Sequence, residues 1–382
     1  MKLYLDYNAS TPLDSRVLDA MTECLSGMAG NPSSTHQFGR AARARLDTAR
    51  EQVAALVGAH ASQVIFTSGG TEANNLALHA VTWRRQPGRL AISSIEHPSV
   101  LEPARALAAQ GWQLDLIGID DQCRVTSEAL MGKLHQDTRL VSVMTANNET
   151  GVIQDIDGLA EMTRSVGAVF HNDAIQAAGK MALDFESSAV QLMTLSAHKI
   201  YGPKGVGALI VDKTLELAPL MVGGGQERGF RAGTENVAGI VGFGVAAELA
   251  KTQLAERAAH TRRWREHLET GLARYPEIKV FARDAERLPN TVQLAIAGID
   301  GETLLMQLDR AGIAVSSGSA CSSGKTEPSH VLMAMGVGVE LARGAIRISL
   351  GRDTTESDIE FLLAALGQQV KWIQKASRAA GW

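Results

Sequence analysis

The fold turns on one stretch, Val64-Ile65-Phe66-Thr67-Ser68-Gly69-Gly70-Thr71-Glu72. Its first five residues form an apolar run of strand length, two glycines follow, and helical patterning begins at Thr71. Strand, tight turn and helix in that order predict a βα unit. The alternation repeats outward. RLAISSI (89–95) precedes a helical PSVLEPARALAAQ (98–110), and WQLDLIGI (112–119), LVSVMTA (140–146), AVFHND (168–173) and LMTLSA (192–197) come later, with helices between several of them. Short apolar runs separated by amphipathic segments predict an α/β fold, a mainly parallel sheet sandwiched by helices. Leu46, Ala49, Val53 and Leu56 recur at helical spacing after NPSSTHQFG, so that helix packs one face.

The pattern changes towards the C-terminus. Helical character runs from Val237 to about Tyr275, long enough to bridge two lobes, and PNTVQLAI (289–296), a helix near Thr303–Arg310 and AIRISLG (345–351) read as α+β. A chain of 382 residues exceeds what one core supports. We expect a large domain over 14–258 and a smaller α+β domain from 1–13 plus 259–382. Apolar residues at 45% and charged residues at 20% exclude a disordered or fibrous chain. With 37 basic against 41 acidic side chains, net charge −4, there is no electrostatic case for nucleic acid or anionic membrane as partner. No apolar run is long enough to span a bilayer, and MKLYLDYNAS does not read as a signal peptide. Three well-separated cysteines argue against a disulfide framework and for a reducing, cytoplasmic setting.

Five places carry possible chemistry. Gly69-Gly70-Thr71 brings free amides and the positive end of a helix to one point, a phosphate cradle or simply a tight turn with Thr71 as cap. Asp173, with Gln176 three residues on, follows an apolar strand; a carboxylate at such a strand end can hold a protonated ring nitrogen, or cap a helix. Ser196-Ala197-His198-Lys199 also follows a strand, and a partly buried lysine there can form a Schiff base. Lys204 competes for that role, and spacing does not choose between the two. Cys321 stands among small polar residues, SSGSACSSG (316–324), as an accessible nucleophile would. The neighbouring Gly324-Lys325-Thr326 fails as a phosphate loop because its required first glycine is Ser319. His97 sits at another strand end, suited to stacking on a ring or to proton transfer. No cysteine and histidine set has zinc-ligand spacing, so no metal is expected.

These sites occur together with LDYNASTP, NPSSTHQFGR, FTSGGTEANN, EHPSV, ANNETGVIQ, HNDAIQAAGK, SAHKIYGPKGVGAL, GGGQERGFRAGTEN, EPSHVLMAMG and AIRISLG. In that order they resemble the cysteine desulfurases of the NifS/IscS type, in the class-V aminotransferase branch of the fold-type I enzymes that use pyridoxal 5′-phosphate. The likeness runs from end to end, with Ser10 standing where threonine is common.

The resemblance implies roles. Lys199 rather than Lys204 would carry the cofactor as a Schiff base. Asp173 would pair with the ring nitrogen, Gln176 would bond the ring hydroxyl oxygen, and His97 would stack on the ring and relay protons. Gly70, Thr71, Ser196 and His198 would hold the phosphate, joined by Thr234 from a second subunit of a homodimer. Asn148 and Arg347 would orient the carboxylate of L-cysteine, Arg347 by a two-pronged grip. Cys321 would take sulfur as a persulfide, releasing L-alanine, and pass it to an acceptor such as an iron–sulfur scaffold protein. The rivals are a selenocysteine lyase or other sulfur–carbon lyase on the same cofactor, for which Cys321 would matter less, and a relay protein needing Cys321 but not Lys199.

Overall fold

The computed structural model describes residues 2–27, 29–83, 85–317 and 327–379. The chain opens with β1 (Leu3–Tyr4) and then lays down β2 (Val64–Thr67), β3 (Arg89–Ser93), β4 (Gln113–Ile117), β5 (Thr138–Ser142), β6 (Val169–Asp173), β7 (Leu192–Ser196) and β8 (Gly207–Val211). β2 to β8 form one sheet in the order β2-β8-β7-β6-β5-β3-β4, parallel except for β8, which runs against both neighbours. Residues that alternate along a strand point to opposite faces, and both faces are dry. Val64 and Phe66 join one core with Val141 and Phe170; Ile65 joins the other with Leu90, Ile92 and Leu140. Double burial is why these strands read as continuous apolar runs. The edge strand β4 differs: Gln113 and Leu116 are exposed.

The helices Gly70–Thr82 and Pro98–Ala108 pack on the face holding Ile65, and Gln37–Leu56 and Val237–Thr252 on the other. The helix after the first turn starts at Gly70, one residue earlier than its pattern suggested. The helical stretch from Val237 is two helices, Val237–Thr252 and Leu254–Leu272, set 71° apart. Gln253, at φ −103° and ψ 11°, leaves the helical region and makes the corner. The expected boundary at 258 falls inside the second helix, whose Trp264, Leu268 and Leu272 enter the core of the smaller sheet. Among the described residues no single helix is long and apolar enough to cross a membrane.

The later strands are β9 (Ile278–Val280), β10 (Thr291–Ile296), β11 (Ile313–Ala314), β12 (Ser316–Ser317) and β13 (Ala345–Ser349). An antiparallel sheet β12-β13-β10-β9 packs on Leu254–Leu272 and the last helix, Glu356–Ala379, while β1 pairs in parallel with β11. The N-terminal segment then crosses back, bridging Asp6 to Ser349. A further apolar cluster joins Ile95, Met144 and Val152 of the large sheet's loops to Phe281, Ala295 and Leu332. That shared core fixes β13 relative to the parallel strand ends.

Candidate active site

The carboxyl ends of β2, β3, β5, β6 and β7 open on one side of the sheet, where the strand order reverses between β3 and β5. A cavity of about 450 Å³ lies there. It is lined by Gly70, Thr71, His97, Asn148, Asp173, Gln176, Ser196, His198, Lys199 and Arg347, so ten of the residues singled out from sequence meet in one space. Lys204 is exposed and does not line it.

One corner of it is built by the first turn. Gly69, at φ 154°, adopts a conformation that side chains rarely enter, and it occupies the helix cap position with no side-chain cap. Thr71 is therefore not the cap. The first N–H groups of this helix have no acceptor within it. A Cβ on Gly70 would fall 2.3 Å from Cδ1 of Ile175, so the turn lies close against the loop after β6 and a larger residue would have to push that side-chain tip aside. Ser196 ends β7 opposite, and the short turn Ala197–Lys199 adds His198. Burial, with the charges of Lys199 and Lys204, pushes His198 down to about 4, so the imidazole is neutral at pH 7. Its Nδ1 lies 3.3 Å from Ser10 Oγ, which is where the serine-for-threonine difference falls.

The Lys199 amine donates to the main-chain oxygens of Asn8, at 2.6 Å, and Ala9, at 2.8 Å. Asp173, at the end of β6, is buried; its Oδ2 accepts from Asn74 Nδ2 at 2.8 Å and its Oδ1 from the Ile175 amide at 3.0 Å. Burial raises its pKa, while Asn74, Ile175, His97 and Lys199 pull it back. His97 caps the helix Pro98–Ala108: its Nδ1 accepts from the Ser99 amide, leaving Nε2 to carry the proton of the neutral ring, and burial lowers its pKa. Asn74 also donates to Ser99 Oγ at 2.8 Å, so one amide orients both the acid and the imidazole. Gln176 Nε2 donates to the Asn8 oxygen at 3.0 Å, and its Oε1 accepts from Lys180 at 2.8 Å. Lys180 also reaches Asn8 Oδ1 at 3.0 Å, and burial with the charges of Lys199 and Arg347 holds its pKa well below the usual lysine range.

The opposite wall comes from the smaller sheet. Arg347 on β13 donates to Asp6 Oδ1 at 2.7 Å and to the Asn148 carbonyl at 3.0 Å, while its buried Nε has no partner among the described residues. Glu149 is fully buried, accepts from Gln293 and Ser329, and has its pKa raised by burial. Glu327, Pro328 and His330 complete the wall. Cys321 lies outside the described residues.

Thr234 is exposed and does not line this cavity. Its loop is clamped to β2 nearby: Glu227 accepts from Arg50 at 2.6 and 2.7 Å and from the Phe66 amide at 2.9 Å. The clamp offsets two successive left-handed residues, Glu227 (φ 44°) and Arg228 (φ 59°), each costing on the order of 1–2 kcal/mol.

Sequence reading missed Asn8, Asn74, Lys180, Glu96 and Glu149. Asn74 was findable as the residue one helical turn beyond Gly70 on the same face; the others had no local signal. Together the uncapped turn, the buried carboxylate and the neighbouring amine suit a phosphorylated pyridine aldehyde. The turn suits a phosphate dianion, the acid a ring nitrogen, and the amine an aldehyde.

The profile of the family described as aminotransferase class-V matches residues 3–362. A cysteine desulfurase of Trichormus azollae is 42% identical, covering 100% of this chain and 96% of that protein. Among solved structures, one named "NIFS-LIKE PROTEIN" superposes with a TM-score of 0.90 at 37% identity, covering 98% of this chain and 100% of the other. A second, named "SspA in complex with cysteine", gives 0.82 at 31% identity, covering 93% and 100%.

Proposed function

Because this chain belongs to the class-V aminotransferase family, as a cysteine desulfurase that depends on pyridoxal 5′-phosphate, we propose how its own residues divide the work. The observation that carries the assignment is the meeting of the Lys199 amine, the buried Asp173 carboxylate and the uncapped helix end in one cavity. The amides of Gly70 and Thr71, with Thr71, Ser196 and neutral His198, hold the phosphate. Asp173 holds a proton at the ring nitrogen, Gln176 Nε2 faces the ring hydroxyl oxygen, and His97 covers the ring. When bound, the cofactor stores the electron pair released at the substrate's Cα.

Arg347 and Asn148 orient the carboxylate of L-cysteine; the Nε of Arg347, which has no partner among the described residues, supports that reading. Lys199 Nζ takes the Cα proton. The Cys321 thiolate attacks the substrate sulfur, a sulfur–sulfur bond forms as the carbon–sulfur bond breaks, the electron pair left on Cβ is protonated, and Lys199 returns a proton to Cα to give L-alanine. The protein keeps a persulfide on Cys321 for an acceptor protein, such as an iron–sulfur scaffold. Glu327, the first described residue after Cys321, is exposed yet lines the cavity, which suits delivery outward.

The reading includes a homodimer in which Thr234 completes the partner's phosphate site. Exposed Leu18, Leu25, Phe38 and Val222 supply apolar surface for it. The unpaired buried thiols of Cys24 and Cys123 suit a reducing, cytoplasmic setting.

Borohydride reduction of the loaded protein, followed by peptide mass analysis, is expected to fix a pyridoxyl group on Lys199 and nowhere else. Cys321→Ser is expected to keep the bound-cofactor absorbance while ending alanine formation from L-cysteine. An adduct on Lys204, or cysteine turnover surviving in that variant, overturns the assignment; the second result favours a lyase.

A further inference from the structure

Glu96 precedes His97 and belongs to none of the roles above. Its side chain is wholly inside the protein, beside the apolar Ile95 and Met144. Oε1 accepts from Ser93 Oγ at 2.8 Å and from the Met144 amide at 2.7 Å. Oε2 is buried and has no hydrogen-bond partner among the described residues. A carboxylate shares its charge between both oxygens, so leaving one of them buried and unpaired disfavours the charged form. A carboxylic acid removes that cost by placing its proton on the unpaired oxygen.

The neighbourhood favours the same form. The charge acting on Glu96 is that of Asp173 on β6, which raises its pKa, while the Ser93, Met144 and Ser142 donors lower it; His97 beside it feels Asp173, Lys199 and His330, and His330 Nε2 donates to the Glu96 carbonyl oxygen at 3.2 Å. No cation pairs with the Glu96 carboxyl group among the described residues. Asp173, by contrast, has a donor on each oxygen and the Lys199 charge in range. Two acids in one dry site do not both ionise, and the one with the better donors keeps the charge.

We propose that Glu96 is a positioning residue held as the neutral acid, so that Asp173 remains the only anion facing the cofactor ring. The part concerning Asp173 rests on the functional reading above; the protonation of Glu96 does not. Burial followed by the Asp173 charge pushes Glu96 up to about 8, so the protein binds this proton at neutral pH. Above that pH a second negative charge would appear beside Asp173 and raise the proton affinity of the Asp173–ring nitrogen pair, changing how the two share their proton.

Glu96→Gln is close in shape to the acid and cannot ionise, so it is expected to fold and to bind cofactor within about twofold of the parent. The infrared difference spectrum of parent minus Glu96→Gln, taken on cofactor-free protein at pH 7, is expected to contain the carbonyl stretch of one protonated carboxyl group. That band should fade as pH rises through about 8. On the loaded protein, the visible absorbance of the bound cofactor should show a step in the same pH range that the Gln variant lacks. Absence of the protonated-acid band at pH 7, or identical alkaline titrations of the two loaded proteins, overturns the proposal. Failure of the desulfurase reading would appear elsewhere, as no borohydride-fixed adduct on Lys199.

Discussion

The floor and the wall of the cavity are made in different ways. The floor consists of turns that follow strands of the parallel sheet, and each of its side chains lies within a few residues of the strand that aims it: Gly70 after β2, His97 after β3, Asp173 on β6, Lys199 after β7. The wall is assembled from chain segments far apart in sequence. Asn8 and Ala9 hold the amine of Lys199 across about 190 positions, and Asp6 holds Arg347 across 341. Floor residues are placed by local geometry and carry the chemistry; wall residues are placed by tertiary contacts and orient what the floor acts upon. If that division is right, changes to the floor should act on turnover, and changes to the wall on affinity and stability.

The largest effect is expected on the floor. Lys199→Ala should remove both the borohydride-fixed adduct and alanine formation, with kcat falling at least about 10³-fold because proton transfer and cofactor anchoring vanish together. Thermal unfolding should change little, since the main-chain carbonyls of Asn8 and Ala9 that accept from the amine line an open cavity where water can replace it. Measurable turnover in that variant would blur the line between floor and wall.

A wall change comes next. Asp6→Asn keeps the shape but removes the charge from the 2.7 Å bond to Arg347. Bonds to charged groups contribute about 1.5–3 kcal/mol, so KM for L-cysteine should rise roughly 10-fold as the guanidinium loses its orientation, with kcat within about threefold. Steady-state kinetics decide it: a fall in kcat with KM unchanged would show that Arg347 acts on the chemical step.

Asn8 tests how the wall is built. Its side chain is buried, accepts from Lys180 and from Asn290 at 3.0 Å each, and donates to Thr291 at 2.9 Å. Asn8→Ala leaves those polar groups unpaired and should cost about 2–4 kcal/mol of stability, read as an earlier unfolding midpoint in urea. Lys199 should still form its adduct, because the oxygen it donates to belongs to the main chain.

This division also explains what could be read without coordinates. The βα turns, the parallel sheet and the residues at strand ends have local signals: apolar runs, a double glycine, a lysine three places beyond a strand. Asn8 and Asp6 have none, because their partners are set by how β1 pairs with β11 and how the N-terminal segment bridges to Ser349. The bend at Gln253 was hidden for a related reason: helical patterning continues through it, and one non-helical residue decides it. Glu96 could not be distinguished from an ordinary polar residue before a helix, since only tertiary burial leaves its second oxygen dry. Assigning Lys199 rather than Lys204 needed either the family likeness or the cavity, as both lysines follow the same strand within a few residues.

The smallest expected effect falls where floor and wall touch. Ser10 belongs to the N-terminal segment, yet its hydroxyl lies 3.3 Å from Nδ1 of His198 on the floor. Because His198 is neutral at pH 7, this contact is a weak neutral hydrogen bond whose purpose is to choose which ring nitrogen carries the proton. Threonine offers the same hydroxyl with one extra methyl, and position 10 is only half-buried, so the methyl has room. Ser10→Thr should therefore leave cofactor affinity and kcat within about twofold. Ser10→Ala removes the hydroxyl and should weaken cofactor binding by up to about 5-fold, measured by equilibrium titration of the cofactor-free protein. If alanine and threonine behave alike, the hydroxyl does not set the tautomer, and His198 is oriented by the floor alone.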